Sequence, residues 1–242
     1  MLSPDATSLP GGGETPRDDE RELKFALLQG RVPLVRSWLE RICRRDPEFP
    51  AALVWTIYYD TPALLSLGEK LNSDYLKRKI RVRWYSSLQG DVTGPAFVEA
   101  KFRTGTLRSK VRQQLPFPAA EIAAMGLADR RLQAVPELLR PHGVLGHGAW
   151  QPLMLIRYRR DRYVEPASQS RISLDSDISA VAVNPMMIRT GDLSPLGTAV
   201  LETKGAGDEL PRALHGLLGF GLRKQSFSKF LAVYAHMTRC VF

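Results

Sequence analysis

Five short stretches of the chain put charged residues at every second position, with apolar residues in the gaps. In Lys79-Ile80-Arg81-Val82-Arg83-Trp84-Tyr85 the cations alternate with Ile, Val and Trp. Glu99, Lys101 and Arg103 share one parity in VEAKFR, Arg157 and Arg159 in LIRYRR, Arg171 and Asp175 in RISLD, and Glu202 and Lys204 in VLETK. Side chains on a strand alternate between faces, so each stretch reads as a strand with one apolar and one charged face. An ordinary half-buried strand carries mixed polar residues on its wet side. Here Arg and Lys dominate, which predicts a surface built to hold something anionic.

The rest of the chain supplies more strands and the helices to cover them. Residues 1–18 are rich in Pro, Gly, Ser and acids and read as a disordered tail. Strands are predicted at ELKFALL, 52–60, 75–85, 96–103, 153–164, 170–176, 180–189 and 198–204. Helices are predicted at 33–44, after Thr61-Pro62 with Thr61 as cap, within an insert at about 107–145, and at 210–218 and 228–237. The basic run 108–112 is read as a solvated helix or loop of that insert, broken by Pro116 and Pro118. The expected class is α+β: an eight-stranded antiparallel β-barrel flanked by helices, one domain over 19–242. Because the helices offer apolar faces for the outside of the barrel, the charged parity is expected to line a basic lumen.

Composition agrees with an anionic partner. The 242 residues carry 34 Lys and Arg against 25 Asp and Glu, a net charge of +9, which favours nucleic acid, phosphorylated molecules, polyphosphate or an anionic membrane. Trp84, Phe102 and Tyr158 alternate with the cations and are assigned to the opposite face, which argues against nucleic acid, since single-strand binders stack bases on exposed aromatics. Cys43 and Cys240 form no metal or disulfide pattern, and the four histidines show no ligand spacing. No segment approaches the roughly 20 apolar residues of a membrane span, and the first residues lack a signal-peptide layout. A soluble, cytoplasmic protein is expected.

Clustered buried cations lose several kcal/mol of hydration each unless an anion or water meets them. Guanidiniums grip phosphate oxygens as a fork and Lys acts as a point charge. Cations two residues apart, roughly 7 Å along a strand, suit successive phosphates of a linear chain. Glu22, Glu99 and Glu202 each stand two residues before a Lys (Lys24, Lys101, Lys204). Carboxylates among phosphates are ligands for Mg²⁺ or Mn²⁺.

Glu22-Leu23-Lys24-Phe25, TIYYDTP at 56–62, KRKIRVRWY at 77–85, VEAKFR at 98–103, RYRRDRY at 157–163, VLETKG at 200–205 and Ser228-Lys229-Phe230 together resemble the VTC domain. That is the polyphosphate polymerase domain of the vacuolar transporter chaperone family, a branch of the triphosphate tunnel metalloenzymes, and the resemblance is to its stand-alone prokaryotic form. The resemblance implies ATP-dependent elongation of inorganic polyphosphate with release of ADP, and a divalent metal. It implies Lys24, Arg81, Arg83, Lys101, Arg157, Arg171 and Lys229 as phosphate ligands, Glu202 as metal ligand and Ser228 at a phosphate. Tyr58 would orient phosphate or nucleotide at the tunnel mouth. Arg103, Arg159 and Lys204 join them as substrate-binding candidates, and Glu22 and Glu99 as further metal ligands. ATP and polyphosphate are the expected partners, and association with a separate membrane protein, at the inner face of a membrane, stays open.

The chain also departs from the family pattern. Glu20-Arg21-Glu22-Leu23-Lys24 spells the E-x-E-x-K signature of hydrolytic tunnel enzymes, which keeps a triphosphatase as the alternative; a non-catalytic polyphosphate-binding module is the other. Ser226 stands where the family often has a Lys before the terminal Ser-Lys pair, with Lys224 as a substitute.

Overall fold

The computed structural model describes residues 21–105, 107–143 and 149–240. The acidic tail, Glu20 and His147 lie outside the described residues.

The period-two stretches form strands, in chain order β1 (Arg21–Leu28), β2 (Arg44–Arg45), β3 (Ala51–Asp60), β4 (Leu76–Ser86) and β5 (Pro95–Thr104), followed by β6 (Leu107–Pro118), β7 (Gln151–Val164), β8 (Arg171–Val183), β9 (Thr198–Gly205) and β10 (Arg223–Lys224). They make one ten-stranded sheet in the order β10-β1-β9-β8-β7-β3-β4-β5-β6, with β2 on β7, and every pair is antiparallel.

The sheet curls without closing, which corrects the expected eight-stranded barrel. Curling is evident because Glu22 on β1 and Lys101 on β5, near opposite ends of the strand order, lie close enough to interact. Among the described residues no pairing joins β6 to β1 or β10. Two features oppose closure. Part of the free edge of β1 is taken by β10, with Phe25 opposite Lys224 and Ala26 opposite Arg223. The other edge, β6, ends in Pro116 and Pro118, which have no N–H to give a neighbour.

β6 also corrects the expected insert. Its Arg108, Lys110 and Arg112 pair with Arg103, Lys101 and Glu99 of β5, so the basic run is a strand and the helical part starts only at Ala119. The segments read as strands at 170–176 and 180–189 are one strand, β8, with Asp177 at φ 54 and an irregular register against β7.

Helices cover the convex face where the apolar parity emerges. α1 (Val32–Ile42) and the 3-10 segment Arg212–Phe220 pack on Phe25, Leu27, Ile172, Leu174 and Leu201. After α2 (Leu65–Leu71), the short helices α3 (Ala119–Ala124) and α4 (Arg130–Ala134), with the 3-10 segment Val135–His142, cover Ile57, Ile80, Val82, Trp84 and Val98. α5 (Lys229–Thr238) does the reverse: its Phe230, Val233 and Met237 pack with Val54, Tyr58, Met154, Ile156 and Tyr158, apolar residues of the concave side. α2 is capped chiefly by Asp60, whose oxygens accept from the N–H groups of Ser66 (2.8 Å) and Leu67 (3.0 Å).

Candidate functional site

The strand registers decide which charged residues share the concave face. Tyr58 stands opposite Arg81 and Thr56 opposite Arg83 on β4, and the next strand over brings Glu99 opposite Arg81 and Lys101 opposite Lys79. On the far wall Lys24 stands opposite Glu202, Glu22 opposite Lys204, and Arg171 opposite Lys204. The expected inward direction of the cations therefore describes β1, β4, β5 and β9.

It does not describe β7. Val54 stands opposite Tyr158 and Ala52 opposite Arg160, so the even residues of β7 face inward. Arg157 and Arg159 are on the convex side, a correction to their expected place in the lumen. Arg157 lies over the Trp55 ring (5.7 Å). Arg159 donates to the fully buried Asp161 carboxylate (2.9 and 3.0 Å), which also receives Arg36 of α1. Tyr158, expected on the opposite face from the cations, points into the concave side, and at 1% exposure it offers no surface to a base.

Two ion clusters organise the face. In the first, Asp175 and Glu202 share Lys229 and Arg160. Lys229 Nζ lies 2.6 Å from Asp175 and 2.9 Å from Glu202, while Arg160 grips Asp175 with a fork (2.6 and 2.7 Å) and reaches Glu202 at 3.2 Å. Lys24 links Glu202 (3.7 Å) to Glu22 (3.1 Å). Burial pushes the Glu202 carboxyl up, but Lys229, Arg160 and Lys24 outweigh it and hold it well below the usual carboxylate range. Lys229 sits at the first turn of α5 because Ser228 caps the helix, its hydroxyl accepting from the Leu231 N–H (3.4 Å).

In the second cluster Glu99 is surrounded by cations. Arg81 Nε donates to it at 2.7 Å, Lys110 and Arg112 stand at 3.5 and 3.6 Å, and Arg83 at 4.0 Å. Arg83 also donates to Thr56 (3.3 Å). Lys79 lies over the Tyr58 ring at 4.6 Å, and Tyr58 stacks on Phe230. Repulsion from Arg81, then burial, pushes the Lys101 ammonium down to about 7, and burial pushes Lys79 down to about 8. Lys101 remains reachable by water although cations crowd it. Burial raises the Tyr58 phenol, but Lys79, Arg81 and Arg83 overcome it and lower its pKa. At Lys79 burial is the main cause, and at Lys101 the repulsion from Arg81 is only partly offset by Glu22.

The expected site residues are thus brought together in two groups. Lys24, Glu22, Glu202, Lys204 and Lys229 form one wall, and Tyr58, Arg81, Arg83, Lys101 and Glu99 the other. Arg103 is at the rim, its Nε donating to the Gly105 carbonyl (2.7 Å). Sequence reading missed Arg160, Asp175, Lys79, Lys110 and Arg112 as site residues. Lys79 and Asp175 carried a usable signal, since they share parity with Arg81 and Arg171; Arg160 carried none.

For a divalent cation the available donors are Glu22 and Glu202, neighbours through Lys24. Glu99 stands on the other wall; its oxygens face cations, as do both oxygens of Glu202, so an ion at Glu202 competes with Lys229 and Arg160. Among the described residues no group of three or more His, Cys, Asp or Glu forms a metal site. This donor set fits a cation that takes one or two carboxylates and completes its shell with phosphate oxygens and water, and does not fit an all-protein cage.

The fold is a curled, open antiparallel sheet with a charged concave face. The VTC domain family model matches residues 19–238, and the chain belongs to that family. No curated protein matches the chain. Among solved structures it is similar to a candidate adenylate cyclase from Bacillus halodurans (12% identity, 87% of this chain and 95% of that one, TM-score 0.48). A second, from Vibrio parahaemolyticus, has 12% identity over 86% and 94%, with a TM-score of 0.45. The Mediator head module of Schizosaccharomyces pombe follows at 9% identity, 81% and 88%, and 0.41. At these scores the likenesses carry no argument. Among the described residues no helix is long and apolar enough to cross a membrane.

Proposed function

We propose that the protein is an ATP-dependent polyphosphate polymerase. The observation that carries this reading is the wall of Lys79, Arg81, Arg83 and Lys101, on which Glu99 is outnumbered by cations, facing a second wall with carboxylates. A linear chain of phosphates is the ligand that matches cations spaced two residues apart along adjacent strands. Arg81 and Arg83 hold non-bridging phosphate oxygens through guanidinium forks, and Lys101 and Lys24 add point charges from the two walls. Lys229, fixed by Asp175 and Glu202, and Arg160 hold the transferring phosphoryl group from the opposite side. A terminal oxygen of the acceptor chain forms a bond to the γ-phosphorus while the bond to the β,γ-bridging oxygen breaks, and ADP leaves. Charge spreads over the equatorial oxygens in the transition state, so fixed cations there lower the barrier. Glu22 and Glu202 would hold a Mg²⁺ or Mn²⁺ ion, which when bound would neutralise part of the phosphate charge. Arg157 and Arg159, on the convex side, have no part in it.

The test is incubation of the purified protein with ATP and Mn²⁺ or Mg²⁺, with products run on a polyphosphate-stained gel. Long chains and ADP are expected. Orthophosphate without chains would instead assign a triphosphatase, and binding without turnover a non-catalytic module.

A further inference from the structure

Tyr75 continues the cation ladder of β4. It has the parity of Lys77, Lys79, Arg81 and Arg83, stands at the mouth of the concave face just before the strand, and is 73% exposed. A single exposed aromatic is ordinary, but this one is held in place. The Gly105 N–H donates to the Tyr75 carbonyl (2.9 Å), pairing the two residues at the end of the β4–β5 ladder. Gly105 is at φ +60, and a Cβ there would lie 2.6 Å from Tyr75 Cε2 and 3.0 Å from its hydroxyl oxygen. The ring therefore occupies the space where the inward side chain of Gly105 would be. Arg103 is tied to the Gly105 carbonyl at the same end of the ladder (2.7 Å). Lys70 crowds the same rim: burial, then Lys77, Lys24 and Arg103, lowers its pKa.

We propose that Tyr75 is the nucleobase platform that selects a nucleoside triphosphate over inorganic triphosphate as phosphoryl donor; this rests on the polymerase reading above. At about 3.3 Å per residue, Lys79 lies roughly 13 Å from Tyr75 along β4 and Arg81 roughly 20 Å. An extended nucleoside triphosphate whose base lies on the ring thus delivers its phosphates to Lys77, Lys79 and Lys101, with Arg81 next in line for the acceptor. Tyr58, Tyr158 and Phe230 cannot serve, since all are buried.

The experiment is calorimetric titration of wild type, Tyr75→Ala and Tyr75→Phe with a non-hydrolysable ATP analogue and, separately, with tripolyphosphate. Base–aromatic stacking corresponds to a loss of roughly tenfold or more on alanine substitution. The expected result is that Tyr75→Ala loses that factor for the ATP analogue only, while Tyr75→Phe binds both ligands as wild type does. An unchanged ATP affinity in Tyr75→Ala, or an equal loss for both ligands, would overturn the platform and leave the polymerase reading standing. If wild type binds neither ligand, that reading fails and the platform with it.

Discussion

Asp175→Asn separates what holds the site together from what it binds. Asp175 is fully buried, accepts both arms of the Arg160 fork and meets Lys229 at 2.6 Å. The amide keeps one acceptor oxygen and turns an NH₂ donor toward a cation. Breaking one side of a buried ion pair costs about 3–5 kcal/mol. Glu202 still contacts both cations (2.9 and 3.2 Å), so the low end, about 3 kcal/mol, is expected. For a domain of this size that is a fall in Tm of roughly 6–12 °C. The same substitution leaves the face one charge more positive. Tripolyphosphate at 100 times its Kd stabilises wild type by about 2.7 kcal/mol, and the ligand-induced rise in Tm should be larger in Asp175→Asn. Thermal unfolding followed by circular dichroism, with and without tripolyphosphate at low salt, measures both. A Tm like that of wild type, or a smaller rise with ligand, would refute the argument that Asp175 offsets cations which phosphate otherwise meets.

Three further outcomes concern the cations of the two faces. Tripolyphosphate affinity should fall as pH rises from 6 to 9, because Lys101 (about 7) and Lys79 (about 8) lose their protons across that range; titrations at constant ionic strength that give a flat profile contradict it. Both ammonium groups titrate lower folded than unfolded, so the unfolded chain binds more protons from about pH 7 to 10, and ligand-free stability should rise across that window. Arg83→Ala should weaken polyphosphate binding and reduce its salt slope by about one, whereas Arg157→Ala on the convex face should change neither. Equal effects of the two substitutions would mean that the register of β7 has been misread.

What could be read from the sequence depended on whether one parity held all the charge. On β4 it did: Ile80, Val82 and Trp84 alternate cleanly with Lys79, Arg81 and Arg83, and the face followed. On β7, Arg157, Arg159 and Asp161 occupy one parity and Arg160 and Arg162 the other, so alternation alone does not choose. The choice is made by residues far away, with Arg36 and Arg45 reaching Asp161 outside and Asp175 and Glu202 receiving Arg160 inside. In β6 the alternation of Arg108, Lys110 and Arg112 was visible, but Pro116 and Pro118 suggested a break where the strand in fact runs to Pro118. Closure of the sheet turned on β10, two residues long, which leaves no pattern to read.

The two clusters differ in balance, and that difference bears on function. In one, Glu22, Asp175 and Glu202 interleave with Lys24, Arg160 and Lys229, with Lys204 opposite Glu22; in the other, among the described residues, Glu99 faces Arg81, Arg83, Lys110 and Arg112. Without carboxylates the buried cations would each lose several kcal/mol of hydration and the empty protein would be hard to keep folded. With them, a phosphate chain that enters replaces one anionic partner by another at each cation. The binding free energy is then a difference between two sets of charge-assisted bonds, smaller than either set alone. On the polymerase reading, a polyanion would be held mainly at the wall where cations outnumber carboxylates and exchange partners along the rest, which a chain-extending enzyme needs and a simple phosphate trap does not.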